Sequence, residues 1–307
     1  MENKITVITP TFNRAHTLER VYQSIIRQNF KQIIWLIMDD GSTDNTKDLI
    51  QNFIEKDEMT IQYIFNENRK KYITLLDGIL NYIKTDYFII MDSDDEFYGV
   101  NSINFFFTKI KDVKEDESIA SVCGHVVDSS NKIVGDLFPH SPFITSIFEM
   151  RFKYGVKGGK MAINDTRKFK KLDLDLDYYR DKGYVPDDIW QNIFDGKYKT
   201  MFINEIFKIY HLDPNDKKSL STSRFTKKSA FGIMESYRTN LETNEKHYMN
   251  YPIVMMKKML GYIYFGLHNG LSAKLLFDNL KKKLNRICFV ILFIPALFLY
   301  YLKPLKN

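Results

Sequence analysis

The chain has 307 residues, 44% of them hydrophobic and 15% aromatic, which provides for one large domain with a smaller appendage and excludes an intrinsically disordered chain. The formal net charge of +6 gathers toward the C-terminus, where Lys281, Lys282, Lys283 and Arg286 precede an apolar run; beside such a run the expected partner is an anionic membrane surface, not nucleic acid. The two cysteines, Cys123 and Cys288, exclude a disulfide framework, so a reducing compartment is expected. The N-terminus enters a strand-like run without a signal-peptide pattern, and secretion by that route is not expected.

Residues 5–9 are a β-rich run that ends at Pro10. Leu18, Val21, Tyr22, Ile25 and Ile26 have helical spacing within residues 17–28. Residues 33–38 are unbroken apolar sequence, as suits a parallel strand covered on both faces. Gly41-Ser42-Thr43-Asp44 then supplies a turn and a cap for a helix over 45–53. A strand fits 60–65, a helix 71–83 and a strand 87–91. This βαβαβαβ succession predicts an α/β fold, a doubly wound sheet with right-handed crossovers. Ligands of such sheets bind beyond the carboxyl ends of the strands.

Carboxylates stand at those ends. The second strand runs into Asp39-Asp40-Gly41-Ser42 and the fourth into Asp92-Ser93-Asp94-Asp95-Glu96. So dense an acidic run repels itself unless a cation joins it, and a hard divalent ion shared with a diphosphate suits such oxygens. In an extended segment Asp92 and Asp94 face the same side. A solvated acidic turn would use the same residues, and Asp-x-Asp alone is a weak pattern.

Three strand ends taken together are far more specific. Ile8-Thr9-Pro10-Thr11-Phe12-Asn13-Arg14, Met38-Asp39-Asp40-Gly41-Ser42-Thr43-Asp44 and Met91-Asp92-Ser93-Asp94-Asp95 arrive in the order and at the spacing of the family-2 glycosyltransferases, which this part of the chain resembles. The resemblance implies the GT-A nucleotide-diphospho-sugar transferase fold, a Rossmann-like, mostly parallel sheet. It also implies that Pro10, Thr11 and Asn13 line a nucleoside pocket and that Asp40 accepts a hydrogen bond from the base imide. Asp92, with Ser93 beside it, would approach the ribose, and Asp94 would hold Mn²⁺ or Mg²⁺ on the donor diphosphate. Uridine suits an acidic acceptor, and thymidine presents the same imide. Along Glu67-Asn68-Arg69-Lys70-Lys71-Tyr72 the chain departs from the family, which carries glycines where Arg69 and Lys70 stand. Lys71 keeps the basic position at a helix start, where free amides favour anions; it is either a ligand of the diphosphate or a solvated helix start.

The middle of the chain is expected to receive the acceptor. Residues 122–127 and 133–137 read as strands around the turn Ser129-Ser130-Asn131-Lys132, and 146–154 as a helix. Lys157-Gly158-Gly159-Lys160-Met161 resembles a Gly-x-Lys element of a subgroup that attaches sugars to capsular or other surface glycans. Tyr184-Val185-Pro186-Asp187-Asp188-Ile189-Trp190 matches that subgroup's Val-Pro-Glu segment, with Asp187 in place of Glu, and residues 198–206 match its next strand. An inverting transfer needs one carboxylate to take the acceptor hydroxyl proton. Asp187 is the candidate and Asp188 the rival, because Asp is a methylene shorter than Glu; capping of the next helix is the other use of both. His211, after the strand 207–210, is either a further metal ligand, as in some enzymes of this fold, or a hydrogen-bonded loop residue. Ser219, Leu220, Ser221 and Thr222 suggest a lid over the diphosphate. Trp190, Tyr178, Tyr179 and Tyr184 suit either sugar stacking or core packing.

Residues 225–285 read as helical, with Met234, Tyr237, Leu241, Met255, Met256, Met259, Leu260 and Ile263 at helical spacing. Residues 287–302 are almost wholly apolar around Pro295, shorter than the ~20 residues that span a bilayer. With basic residues on both sides the segment suits a monotopic or re-entrant anchor, or else a homo-oligomer interface. The expected division is a nucleotide-sugar half over 1–100, an acceptor half over 101–224 and a helical, apolar extension over 225–307. The expected protein is a metal-dependent inverting glycosyltransferase at the cytoplasmic face of the membrane. It would move a sugar from a nucleotide-diphospho-sugar donor, UDP-linked by the imide argument, to a hydroxyl of a cell-surface glycan or lipid-linked glycan acceptor. Two alternatives stay separate. A sugar-phosphate nucleotidyltransferase would carry a Gly-rich basic loop after the first strand, which Pro10-Thr11-Phe12-Asn13 is not. A non-catalytic nucleotide-sugar binder would keep Asp40 and Asp94 but have no use for Asp187.

Overall fold

The buried apolar runs of the first hundred or so residues form the strands their patterning predicts. In a computed structural model that describes residues 3–211 and 226–305, they are β1 (Ile5–Thr11), β2 (Ile33–Asp39), β3 (Thr60–Phe65) and β4 (Tyr87–Ile90). The proposed lid residues 219–222 lie outside the described residues. Helices Ala15–Ile26, Thr46–Glu55 and Lys71–Asp77 connect the four strands, the last widening into a π-helical turn at Gly78–Tyr82. Every residue of β1 is buried, as its place between β2 and β4 requires.

Five more strands complete one nine-stranded sheet: β5 (Glu96–Phe97), β6 (Ile119–Asp128), β7 (Phe143–Thr145), β8 (Lys160–Asp165) and β9 (Lys199–Tyr210). The order is β3-β2-β1-β4-β8-β6-β9-β5, with β7 also on β9. Pairing is parallel from β3 to β4. It turns antiparallel where β8 joins β4 to β6 and returns to parallel between β6 and β9. The sheet is therefore mixed beyond its first four strands. Aromatic rings fill its core: Tyr22 stacks on Phe53 at 4.1 Å and Phe106 on Phe207 at 3.9 Å between centroids. The buried indole N–H of Trp35 is satisfied by Thr9 Oγ1 at 3.0 Å.

The strand expected over 133–137 does not form; only Ile133 bridges to Val127. Gly135 and Gly158, both at positive φ (+106° and +93°), lie back to back. A Cβ on Gly135 would fall 2.2 Å from the Lys157 carbonyl oxygen, and one on Gly158 2.1 Å from that of Val134. Up to that contact the segment stays on β6, with Val134 N–H donating to the Val126 carbonyl at 2.8 Å. Asn204 then clamps it, accepting from the Phe138 N–H at 2.9 Å and donating to the Phe138 carbonyl at 3.1 Å.

The chain divides into two compact units, Met1–Leu172 with Tyr198–Asp213, and Asp173–Lys197 with Pro214–Asn307. The first holds the sheet. The second is helical, and it takes in residues 173–197, read from sequence with the acceptor half. The reason is local packing. Helix Asp188–Lys197 lies on helix Ala230–Thr243, where Asn192 Nδ2 donates to the Ser236 carbonyl at 3.2 Å and Asn240 Nδ2 donates to Asn192 Oδ1 at 2.7 Å. Gly232 permits the closest approach: a Cβ there would sit 2.1 Å from the Tyr184 carbonyl oxygen. Trp190 and Tyr179 are buried in this unit. Its last helix, Lys283–Leu302, starts ahead of the apolar run and passes Pro295 without interruption.

Candidate active site

Because β2 and β4 flank β1, the segments leaving these three strands meet along one edge of the sheet, with β2 and β4 roughly 10 Å apart. Pro10 and Thr11 are buried, and Thr11 Oγ1 has no hydrogen-bond partner among the described residues. Asn13 takes a left-handed conformation (φ 54°). Its Oδ1 accepts from Thr43 N–H at 2.7 Å and its own N–H donates to Ser42 Oγ at 2.8 Å. The turns after β1 and β2 are thereby tied together. Asp39 braces them, accepting from Ser42 N–H at 2.8 Å and from the Tyr63 hydroxyl at 2.7 Å.

Asp40 is 5% exposed. Its Oδ1 accepts both Arg69 N–H, at 2.7 Å, and the Thr74 hydroxyl, at 2.6 Å. The second oxygen, Oδ2, is the one with capacity for a donor such as an imide.

The acidic segment after β4 is organised by two lysines. Lys71, the first residue of its helix, places Nζ 2.9 Å from Asp92 Oδ1. Lys208, from β9, places Nζ 2.5 Å from Asp95 Oδ2 and 3.5 Å from Asp92 Oδ2. The Lys71 charge, aided by Lys208, outweighs burial and holds the Asp92 carboxyl well below the usual carboxylate range. Asp94 goes the other way, raised by burial and then by the charge of Asp92. Burial also raises the fully buried Asp95, against the pull of Lys208. For Lys208 itself burial works against the ammonium, yet Asp92 and Asp95 prevail and raise its pKa. Helix Ala15–Ile26 holds the backbone of this segment: the Thr17 hydroxyl donates to the Ser93 carbonyl and Arg20 to the Asp94 carbonyl, each at 2.7 Å.

The start of the helix after β3 thus joins the two acidic strand ends. Arg69 and Thr74 hold Asp40 while Lys71 holds Asp92, within a stretch of one and a half helical turns or so. Asp40, Lys71, Asp92, Ser93 and Asp94 belong to one edge of one unit. His211 is held close by: its N–H donates to Asp95 Oδ1 at 3.1 Å and its Nε2 lies 2.9 Å from Glu96 Oε1, so the ring offers Nδ1 to any further ligand. Asp187 and Asp188 belong to the second unit. Asp188 opens its helix, and the Asp187 carbonyl accepts from Gln191 N–H at 3.2 Å.

Sequence reading passed over Lys208, Thr17 and Arg20. A signal existed for Lys208, a lone charge inside the otherwise apolar strand end Phe207–Tyr210, because a lysine buried in a sheet demands carboxylates. Among the described residues no group of three His, Cys, Asp or Glu side chains is arranged to hold a metal by itself. Asp94, a desolvated carboxylate beside another, nevertheless fits a divalent cation that takes its remaining oxygens from a diphosphate and water.

Fold and site together define a GT-A glycosyltransferase. Residues 6–171 match Glycosyl transferase family 2, and the chain belongs to that family. It is 24% identical, over 325 aligned positions covering 99% of this chain and 94% of the relative, to the GalNAc(5)-diNAcBac-PP-undecaprenol beta-1,3-glucosyltransferase of Campylobacter jejuni. Among solved structures it is similar to S. aureus TarS residues 1–349 in complex with UDP-GlcNAc, with a TM-score of 0.56 at 13% identity over 97% of this chain and 92% of that one. The mannosyltransferase PcManGT of Pyrobaculum calidifontis, solved with GDP-Man and Mn²⁺, has a TM-score of 0.55 at 14% identity over 97% and 87% of the two chains.

Proposed function

We propose that this glycosyltransferase is inverting and metal-dependent. It transfers a sugar from a UDP-sugar to a hydroxyl of a surface glycan or lipid-linked glycan precursor, at the cytoplasmic face of the membrane. The observation that carries the proposal is the helix start at residues 69–74, which fixes Asp40 at one end and Asp92 at the other. Asp40 Oδ2 accepts the base imide N–H, and the Thr11 hydroxyl, without a partner among the described residues, meets the nucleoside. Asp92 and Ser93 face the ribose. Lys71 turns to the diphosphate, where a charge held in a part-buried site stabilises the leaving group. A divalent ion on Asp94 supplies Lewis-acid neutralisation of that same group when bound. Asp187 takes the acceptor proton, with Asp188 as the rival, and attack from the face opposite the diphosphate inverts the anomeric carbon.

Support for the acceptor class comes from the C. jejuni relative, named for an undecaprenol-diphosphate-linked glycan and matched along nearly its whole length. Support for donor and metal comes from the two structural neighbours, solved with UDP-GlcNAc and with GDP-Man and Mn²⁺.

The test is a melting-temperature series with nucleotide sugars of different bases, with and without Mn²⁺, since a ligand specific for the folded state raises the midpoint. UDP-sugars with Mn²⁺ should give the largest rise. Asp40→Ala should erase the preference for uridine, and Asp94→Asn the increment due to Mn²⁺. Equal shifts for every base, or an Asp94→Asn protein that responds to Mn²⁺ as wild type does, would overturn the assignment.

A further inference from the structure

We propose that helix Lys283–Leu302 lies flat on an anionic bilayer and docks through the stripe Ile287, Val290, Ile291, Ile294, Phe298 and Tyr301. This deepens the reading above by naming the docking surface; it rests on that reading only for the side of the membrane. The six side chains are 48–76% exposed and, with Val290 and Ile291 adjacent, otherwise follow at intervals of three or four residues, so they form one face of the helix. The 20-residue helix is long and apolar enough to cross a membrane, with a mean hydropathy of 1.9 over an 18-residue window. Its other face decides against crossing.

That other face is already covered by protein. Asn285, Phe289, Leu292 and Ala296 are buried, and Cys288 Sγ lies 3.6 Å from Met255 Sδ of helix Pro252–His268. Both ends are tied down as well. Asn285 Nδ2 donates to the Leu241 carbonyl at 3.1 Å and to Glu242 Oε1 at 3.2 Å, while the Tyr264 hydroxyl donates to the Lys303 carbonyl at 2.5 Å. Crossing would either strip these partners away or draw the polar residues of the neighbouring helix into hydrocarbon, where nothing replaces their hydrogen bonds. A helix with one face on protein and one apolar face outward rests in the interface plane.

Charge selects lipid over a second copy of the chain as the occupant. Lys281, Lys282, Lys283 and Arg286 are exposed at the start of the helix and Lys303 at its end, and no ion pair among the described residues involves them. Anionic headgroups neutralise basic residues at both ends of an apolar stripe. A second stripe of the same kind would bring no carboxylate to them.

Flotation of the full-length chain with phosphatidylglycerol-containing vesicles tests this, with pure phosphatidylcholine vesicles as the control. The protein should float with the anionic vesicles and come off in alkaline carbonate. Replacing Ile291 and Ile294 together by Asp should abolish flotation, and Gln at Lys281, Lys282 and Lys283 should weaken it about a hundredfold. Both variants should keep the wild-type melting shift with UDP and Mn²⁺, which establishes that they fold. Resistance to carbonate would overturn the proposal in favour of a span. Failure to float would overturn it too, and a dimer that the Asp pair dissolves would then assign the stripe to a second copy. Flotation without any nucleotide response would leave this proposal standing and sink the donor reading.

Discussion

The ammonium of Lys71 lies 2.9 Å from the Asp92 carboxylate, a contact between the helix after β3 and the segment after β4 that closes one side of the proposed donor site. The pair is part-exposed, so its own contribution to stability is small. On the proposed function its importance lies in what it offers a donor, a cation already held beside the proposed diphosphate position.

Lys71→Met keeps the apolar stem and deletes the charge. Donor affinity should fall by about 10- to 100-fold, the range of one charge-assisted hydrogen bond, as read by calorimetric titration of a UDP-sugar with Mn²⁺. Unchanged affinity would mean that Lys71 serves Asp92 alone.

Lys208 and Asp95 form the buried counterpart of that pair, with Nζ to Oδ2 at 2.5 Å and Asp95 fully buried. Removing one partner leaves a buried charge uncompensated, so Lys208→Met should cost about 3–5 kcal/mol in denaturant unfolding. Adding Asp95→Asn to that variant should recover part of the loss. A double variant no more stable than Lys208→Met would show that the lysine acts chiefly through Asp92.

Asp187→Asn should leave the donor-induced melting shift intact and lower kcat by about 10²–10⁴-fold, the usual share of a general base. Asp188→Asn should change kcat far less. The reverse pattern in a radiolabelled transfer assay would exchange their roles. A silent Asp187→Asn would remove Asp187 from the reaction.

His125 is 1% exposed and spends its Nε2 on Asn204 Oδ1 at 2.7 Å, while Nδ1 has no partner among the described residues. Burial, aided by the charge of Lys160, lowers its pKa. The unfolded chain therefore binds this proton more readily than the native one. The stability tied to the neutral ring is present above the unfolded value of about 6.5 and is lost as pH falls through the window below it. Melting midpoints taken from pH 7.5 to 5 should show this slope, and His125→Gln should flatten it. An unchanged slope would place the acid sensitivity elsewhere.

Much of the acidic edge was legible because its information is local. An apolar run of strand length, a turn, and the acidic residues beside it are neighbours in the chain, so β1, β2, β3 and β4 and the carboxylates at their ends could be read in order. The departure at Arg69 and Lys70 was visible too. Its consequence was not: Arg69 contributes a backbone N–H to Asp40, which any residue but proline would supply.

By itself, the sequence determined the alternating strands and helices, the family and the carboxyl-rich strand ends, because periodicity and short motifs act over a few residues. Tertiary structure alone decided that Lys208 meets Asp95 across 113 positions. It also decided that Gly135 and Gly158 cancel a strand, that residues 173–197 join the C-terminal helices, and that the last helix shows only one face to solvent. Each of these depends on which surfaces pack together, and a burial partner far along the chain leaves no periodic trace at the residue it covers.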